Sequence, residues 1–218
     1  MCGEFGPECV GCSWLLSLVF EAMTNIPALK AANAARWKAM HTIASLGPTL
    51  DAVAHRLIAP TAKAQYQVVS ATTHVPWFVI AVIHEREASQ SWLAGLAQGD
   101  PWNRVSIHVP RGIGPFASWE DAAVYALEKA PPFAARWTDW TIGGLLTLLE
   151  EYNGLGYAAR GVPSPYVWAS TDQYHSGKYI ADGHYDPNAI DHQLGCAALL
   201  SRMALADNSI VFDIGASV

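Results

Sequence analysis

Apolar positions along this chain gather into stretches separated by clusters of turn-forming residues, and the period inside most stretches is helical. Residues 26–43 are rich in Ala and short of large apolar side chains, which predicts a helix that Gly47-Pro48 breaks. Residues 50–69 predict a second helix, with Val53, Leu57 and Tyr66 as core contacts and Pro60 kinking it or splitting it in two. Thr73-His74-Val75-Pro76 reads as a helix entry. From 77 to 83 every residue is apolar, and a helix with no polar face is buried on all sides. A strand competes for so short a run. Helix is preferred because His84-Glu85-Arg86-Glu87-Ala88 follows with no turn signal.

Residues 98–116 are rich in Gly, Pro, Asn and Asp, and within them Val105-Ser106-Ile107-His108-Val109 alternates with period two. That predicts a small hairpin or an irregular β excursion. Ser118-Trp119-Glu120-Asp121 opens a helix in the manner of a capping box, ending before Pro131-Pro132. Helices are predicted near 133–138 and 141–152, the latter stopping at Asn153-Gly154. A short helix or loop covers 164–174, and Asp186-Pro187 is expected to open a final helix to about 205. The expected fold is mainly α with one small β-hairpin, residues 1–48 being an extension of unassigned role and 49–218 the main domain.

Composition narrows the function classes. The chain has 218 residues, 51% hydrophobic and 15% charged, the profile of a globular domain with a sizeable core. Thirteen basic against nineteen acidic residues give a net charge of -6, which argues against binding nucleic acid. No apolar run is long enough to span a bilayer; the best N-terminal candidate, 14–20, contains Ser17 and meets Glu21. No signal peptide is evident, since Glu4 and Glu8 precede the first basic residue, Lys30. Cys2, Cys9, Cys12 and Cys196 lack the partners of a zinc site and are expected to be unpaired.

The chemistry concentrates where the apolar run ends. Glu85, Arg86 and Glu87 close a core element, where burying charge without partners is costly. A carboxyl at the edge of an apolar core holds its proton near neutral pH, as cleavage of a glycosidic bond requires. Glu87 and Glu85 both qualify as that acid. Asp100 is the natural second carboxylate, and Ser106 could position the attacking water. The plainer readings are an ion pair of Glu87 with Arg86, Arg104 or Arg111, a turn-forming Asp100, and an ordinary loop Ser106.

His84-Glu85-Arg86-Glu87-Ala88-Ser89, then Gly99-Asp100-Pro101, then Ser106-Ile107-His108-Val109-Pro110 resemble bacterial and phage proteins of the lysozyme-like superfamily, cell-wall muramidases of the endolysin kind. The likeness continues through Leu149-Glu150-Glu151-Tyr152-Asn153-Gly154-Leu155-Gly156-Tyr157 and through Ser164-Pro165-Tyr166-Val167-Trp168 to Gly177-Lys178-Tyr179, covering about 66–200. It implies a lysozyme-like α-helical domain with its hairpin near the active-site cleft. By the resemblance Glu87, rather than Glu85, takes the place of the catalytic acid. Asp100 and Ser106 are similar to the Asp and Thr of phage-type lysozymes, although the spacing from Glu87 to Asp100 is longer here. Tyr152-Asn153 corresponds to the pair lining the sugar cleft, with Tyr174 expected beside it.

The expectation is therefore a glycoside hydrolase of peptidoglycan or a related amino-sugar polymer, acting at the cell wall by an undetermined export route. Its rivals are a lytic transglycosylase, a chitinase-like hydrolase, and a non-catalytic glycan-binding or phage-structural domain. Neither a cofactor nor a metal is implied. His84-Glu85-Arg86-Glu87 lacks the second His of a zinc-protease helix. The set Asp182, His184, Asp186, Asp191 and His192 misses the calcium-loop order, because Pro187 follows Asp186. Of nine tryptophans most should be core, with one or two rings free to stack on sugars.

Overall fold

The computed structural model describes residues 24–97, 99–108, 111–181 and 183–213. Cys2, Cys9 and Cys12 lie outside that set, as does Asp182. The described chain is mainly helical. The longer helices are α1 (Ile26–Ala39), α2 (Gly47–Leu57), α3 (Pro60–Thr73), α4 (Trp77–Ala88), α5 (Trp119–Lys129) and α6 (Ile142–Tyr152). Two single-turn helices, α7 (Gly156–Ala159) and α8 (Pro165–Trp168), precede β1 (Lys178–Ala181), β2 (His184–Asp186) and α9 (Cys196–Ala206).

Caps and breakers set most boundaries. Asn25 caps α1 by accepting the Ala28 N–H at 3.0 Å, and Pro27 sits where its missing N–H is harmless. Ser118 caps α5 through the Asp121 N–H at 3.1 Å. Thr141 caps α6 through the Gly144 N–H at 3.3 Å. The 50–69 stretch is split, as Pro60 allows, with Ile58 and Ala59 between α2 and α3.

Three expectations are corrected. Gly47-Pro48 starts a helix instead of breaking one, because Pro at the first turn presets φ and removes a donor that has no partner there. The final helix opens at Gly195 and not at Asp186-Pro187. Asp186 belongs to β2 and caps the Asn188 N–H at 2.8 Å in a turn. A side chain on Gly195 would meet the Ala169 carbonyl oxygen at 2.4 Å, so only Gly lets α9 start against α8. The β element is the antiparallel pair β1–β2, while 105–108 form no strand. That loop is closed instead by Ser106, whose N–H donates to the Ile113 carbonyl at 2.8 Å and whose Oγ accepts the Ile113 N–H at 3.0 Å.

The core is a helical one. α9 touches α2, α4, α6 and α8, and α4 packs on α2 and α3. Val79, Ile80, Ala81, Val82 and Ile83 of α4 have no exposed surface, as expected for a helix apolar on every face. α1 lies along α6 so closely that a Cβ at Gly143 would sit 2.5 Å from the Lys30 carbonyl oxygen. Residues 26–39 of the span read as an extension are thus packed on the main body. No single helix among the described residues is long and apolar enough to cross a membrane.

Candidate active site

The last turn of α4 carries Glu85, Arg86 and Glu87, and each has a different partner. Glu85 pairs with Arg56 of α2 at 2.8 Å. Arg86 pairs with Asp191 at 3.0 Å, donates to the Leu194 carbonyl at 3.2 Å, and lies 4.7 Å from the centre of the Tyr166 ring. Glu87 accepts a hydrogen bond on Oε1 from the Tyr166 hydroxyl at 2.8 Å and makes no ion pair with a described residue. The plainer alternative, an ion pair of Glu87 with Arg86, Arg104 or Arg111, is therefore not the arrangement found.

These partners set the proton affinities. Burial pushes Glu87 up to about 7, against the Tyr166 hydrogen bond and the Arg86 charge, which both favour its ionised form. Burial also raises Glu85, with Arg56 opposing. Tyr166 itself is held well above the ordinary phenol range by burial and by Glu87, so it stays a neutral donor. Glu87 is half-buried, which leaves one carboxyl oxygen not engaged by Tyr166.

His84 and the turn that follows it fix the end of α4. His84, fully buried and pushed down to about 4 by desolvation, is neutral. Its Nε2 lies 3.0 Å from the Ser91 carbonyl, and its Nδ1 lies 3.0 Å from the Tyr66 hydroxyl, so Nε2 carries the proton and Nδ1 accepts. Ser89 and Gln90 both adopt positive φ, 50° and 56°, an unfavourable conformation for residues other than Gly. The Gln90 side chain holds that turn by donating to Tyr66 at 3.0 Å and to the Arg56 carbonyl at 3.3 Å. Strain of this kind collects at functional sites.

The other predicted residues fall in different relations to Glu87. Tyr152, at the end of α6, donates to the Leu96 carbonyl at 3.3 Å, and burial and the Glu87 charge both raise its pKa. It belongs to the surroundings of the acid. Asn153 is exposed at the C-terminal cap of α6. Tyr174 is buried; its hydroxyl donates to the Gly177 carbonyl at 3.2 Å and accepts the Asp191 N–H at 3.0 Å. It reaches the site through Asp191 and Arg86.

Asp100 follows Gly99, whose Cβ position lies 3.9 Å from the Glu87 carbonyl oxygen, so the loop leaves from beside the acid. Its carboxylate is turned onto its own loop. Oδ2 accepts the N–H groups of Ile107 at 3.1 Å and His108 at 3.0 Å, and Oδ1 lies 2.6 Å from His108 Nδ1. Burial opposes ionisation, but these bonds win and hold Asp100 below the usual carboxylate range. Ser106 is buried in the same loop.

In the sequence Asp191 stood only in a ligand-rich set read as loop and cap residues and Tyr166 only within the quoted resemblance, and neither residue's type marks it as a partner of α4. Cys196 is a buried free thiol raised to about 12 by desolvation, which makes it inert. Among the described residues no three His, Cys, Asp or Glu side chains gather as metal ligands. Trp14 lies outside the described residues, and the other eight tryptophans are all buried or half-buried. Comparison with known proteins finds no matching family model, no matching curated protein and no matching solved structure.

Proposed function

We propose that this chain cleaves the glycan strand of peptidoglycan as a muramidase-type glycoside hydrolase, with Glu87 as general acid. The observation that carries the reading is the state of Glu87. It is a half-buried carboxyl at the end of a core helix, held by a neutral phenol and raised to about 7 by burial. A carboxyl in that state keeps its proton in a substantial share of molecules at neutral pH and can give it to a glycosidic oxygen. On this reading Tyr152 and Asn153, at the end of α6, line the saccharide cleft, and Tyr174 acts indirectly through its bond to Asp191. No cofactor enters the scheme.

A lytic transglycosylase is the second reading, and the commitment of Asp100 to its own loop favours it. There the sugar's own 6-hydroxyl attacks, and a second free carboxylate is unnecessary. Mass spectrometry of fragments released from purified sacculi separates these. Wild-type protein is expected to create new reducing sugar ends, and Glu87→Gln to lower turnover by about 10²–10⁴-fold while remaining folded. Anhydro-muramyl ends would instead establish transglycosylation. A folded wild type that releases nothing from several wall types would sink both and leave a non-catalytic glycan-binding domain.

A further inference from the structure

Asp100 and His108 form a hydrogen-bonded pair in the loop that follows Gly99. The carboxylate is only 10% exposed, whereas the imidazole is 69% exposed. Two backbone N–H groups and the ring nitrogen engage three of the lone-pair sites of Asp100. We infer that the group this loop offers to substrate is the His108 imidazole, a catalytic base oriented by Asp100. The inference rests on the hydrolase reading above.

The orientation follows from hydrogen-bond chemistry. An ionised carboxylate only accepts, so Nδ1 carries a proton toward Oδ1, and in the neutral imidazole Nε2 is then the nitrogen with the lone pair. A carboxylate holding an imidazole in one tautomer, with no described residue bonded to the far nitrogen, is the arrangement by which a His takes a proton in catalysis. The loop is pinned at both ends. The Asp100 carbonyl accepts the Gly95 N–H at 2.9 Å, and Ser106 is bonded to Ile113 through backbone and side chain. At its start the loop passes the backbone of the acid, with the Cβ position of Gly99 3.9 Å from the Glu87 carbonyl oxygen.

The step balances. Water oxygen bonds to the anomeric carbon as the bond from that carbon to the leaving oxygen breaks. His108 Nε2 takes a proton from the water while Glu87 gives its own to the leaving oxygen. The imidazolium then releases its proton to solvent, and Glu87 regains one from solvent.

Reducing-end release from sacculi by wild type, Glu87→Gln, His108→Ala and Asp100→Asn tests this, with and without added imidazole. His108→Ala is expected to lose about 10²-fold or more in kcat and to recover part of it with free imidazole. Asp100→Asn is expected to lose rate with no imidazole rescue, since its ring is present but misoriented. The exposed ring makes His108→Ala a mild change for the fold, and a melting curve confirms it. Wild-type kcat in His108→Ala with Asp100→Asn inactive would overturn the inference and return the chemistry to Asp100. A folded but inactive His108→Ala that imidazole does not rescue would overturn it too. Those results differ from failure of the hydrolase reading, in which wild type releases nothing or Glu87→Gln stays active.

Discussion

Glu87 and Glu85 differ by two positions and by everything around them. Both are raised by burial, but Arg56 pairs with Glu85 and pulls it back toward ionisation, whereas Glu87 has a phenol donor and the charge of Arg86, with which it makes no ion pair. The hydroxyl of Tyr166 favours the ionised form of Glu87, so its loss moves the pKa further up. If Glu87 acts as the proposed general acid, it must be protonated, and the alkaline limb of kcat/KM reports that group in the free enzyme. Tyr166→Phe is therefore expected to shift the limb above its wild-type position near pH 7 by roughly one unit, with lower kcat. A pH–rate profile of the two proteins checks this; a limb that stays in place would show that Tyr166 does not bear on the proton. Glu87 was legible in the sequence because a charged residue ending an apolar run needs a reason to be there. Tyr166 was not, because it lies 79 residues away and meets Glu87 only after α8 has docked.

Between elements, the contact of α1 with α6 is unusual in its chemistry. The fully buried residue of α1 is polar: Asn33 donates to Thr147 Oγ1 at 3.2 Å and to Glu150 Oε2 at 3.1 Å. Arg36 reaches the same group through Asn33 Oδ1 at 3.4 Å. Glu150 is 1% exposed, and burial raises it to about 7 against the Asn33 bond and the Arg36 charge. A carboxyl raised in the folded state stabilises fully below its unfolded pKa, and that contribution is lost as pH rises through the folded value. For Glu150 the window runs from about 4.3 to 7, and the effect is on the order of 3 kcal/mol. Glu150→Gln is expected to match wild type in urea stability near pH 4 and to exceed it at pH 8. Equal pH dependence in both proteins would contradict a buried, protonated Glu150. The Ala-rich pattern of 26–43 was enough to expect a helix, but its docking was not readable. It depends on Gly143 and Asn33 meeting positions more than a hundred residues apart.

For the whole molecule, Asp191 is the junction. It takes Arg86 of α4 at 3.0 Å and Lys178 of β1 at 3.1 Å, and its N–H donates to Tyr174. Arg86 and Asp191 side chains are each 4% exposed, so removing Asp191 leaves the buried Arg86 charge without its carboxylate. Asp191→Ala is expected to cost about 3–5 kcal/mol in chemical denaturation, whereas joint replacement by Arg86→Met and Asp191→Leu should cost far less. A small loss in the single variant would mean the pair is solvated in solution.

The sequence by itself determined the helical class, the all-apolar character of α4, most caps and stops, and the position of one acid at the end of a core helix. Those follow from local rules: periodicity, capping chemistry and the cost of burying charge. Where the β-hairpin lies, where α9 begins, and what Asp100 does were decided only by tertiary structure. The Gly195 contact with Ala169 and the turn of Asp100 onto His108 depend on close approach and on which donors are left unpaired. Residue type and spacing do not encode those quantities until the chain has packed.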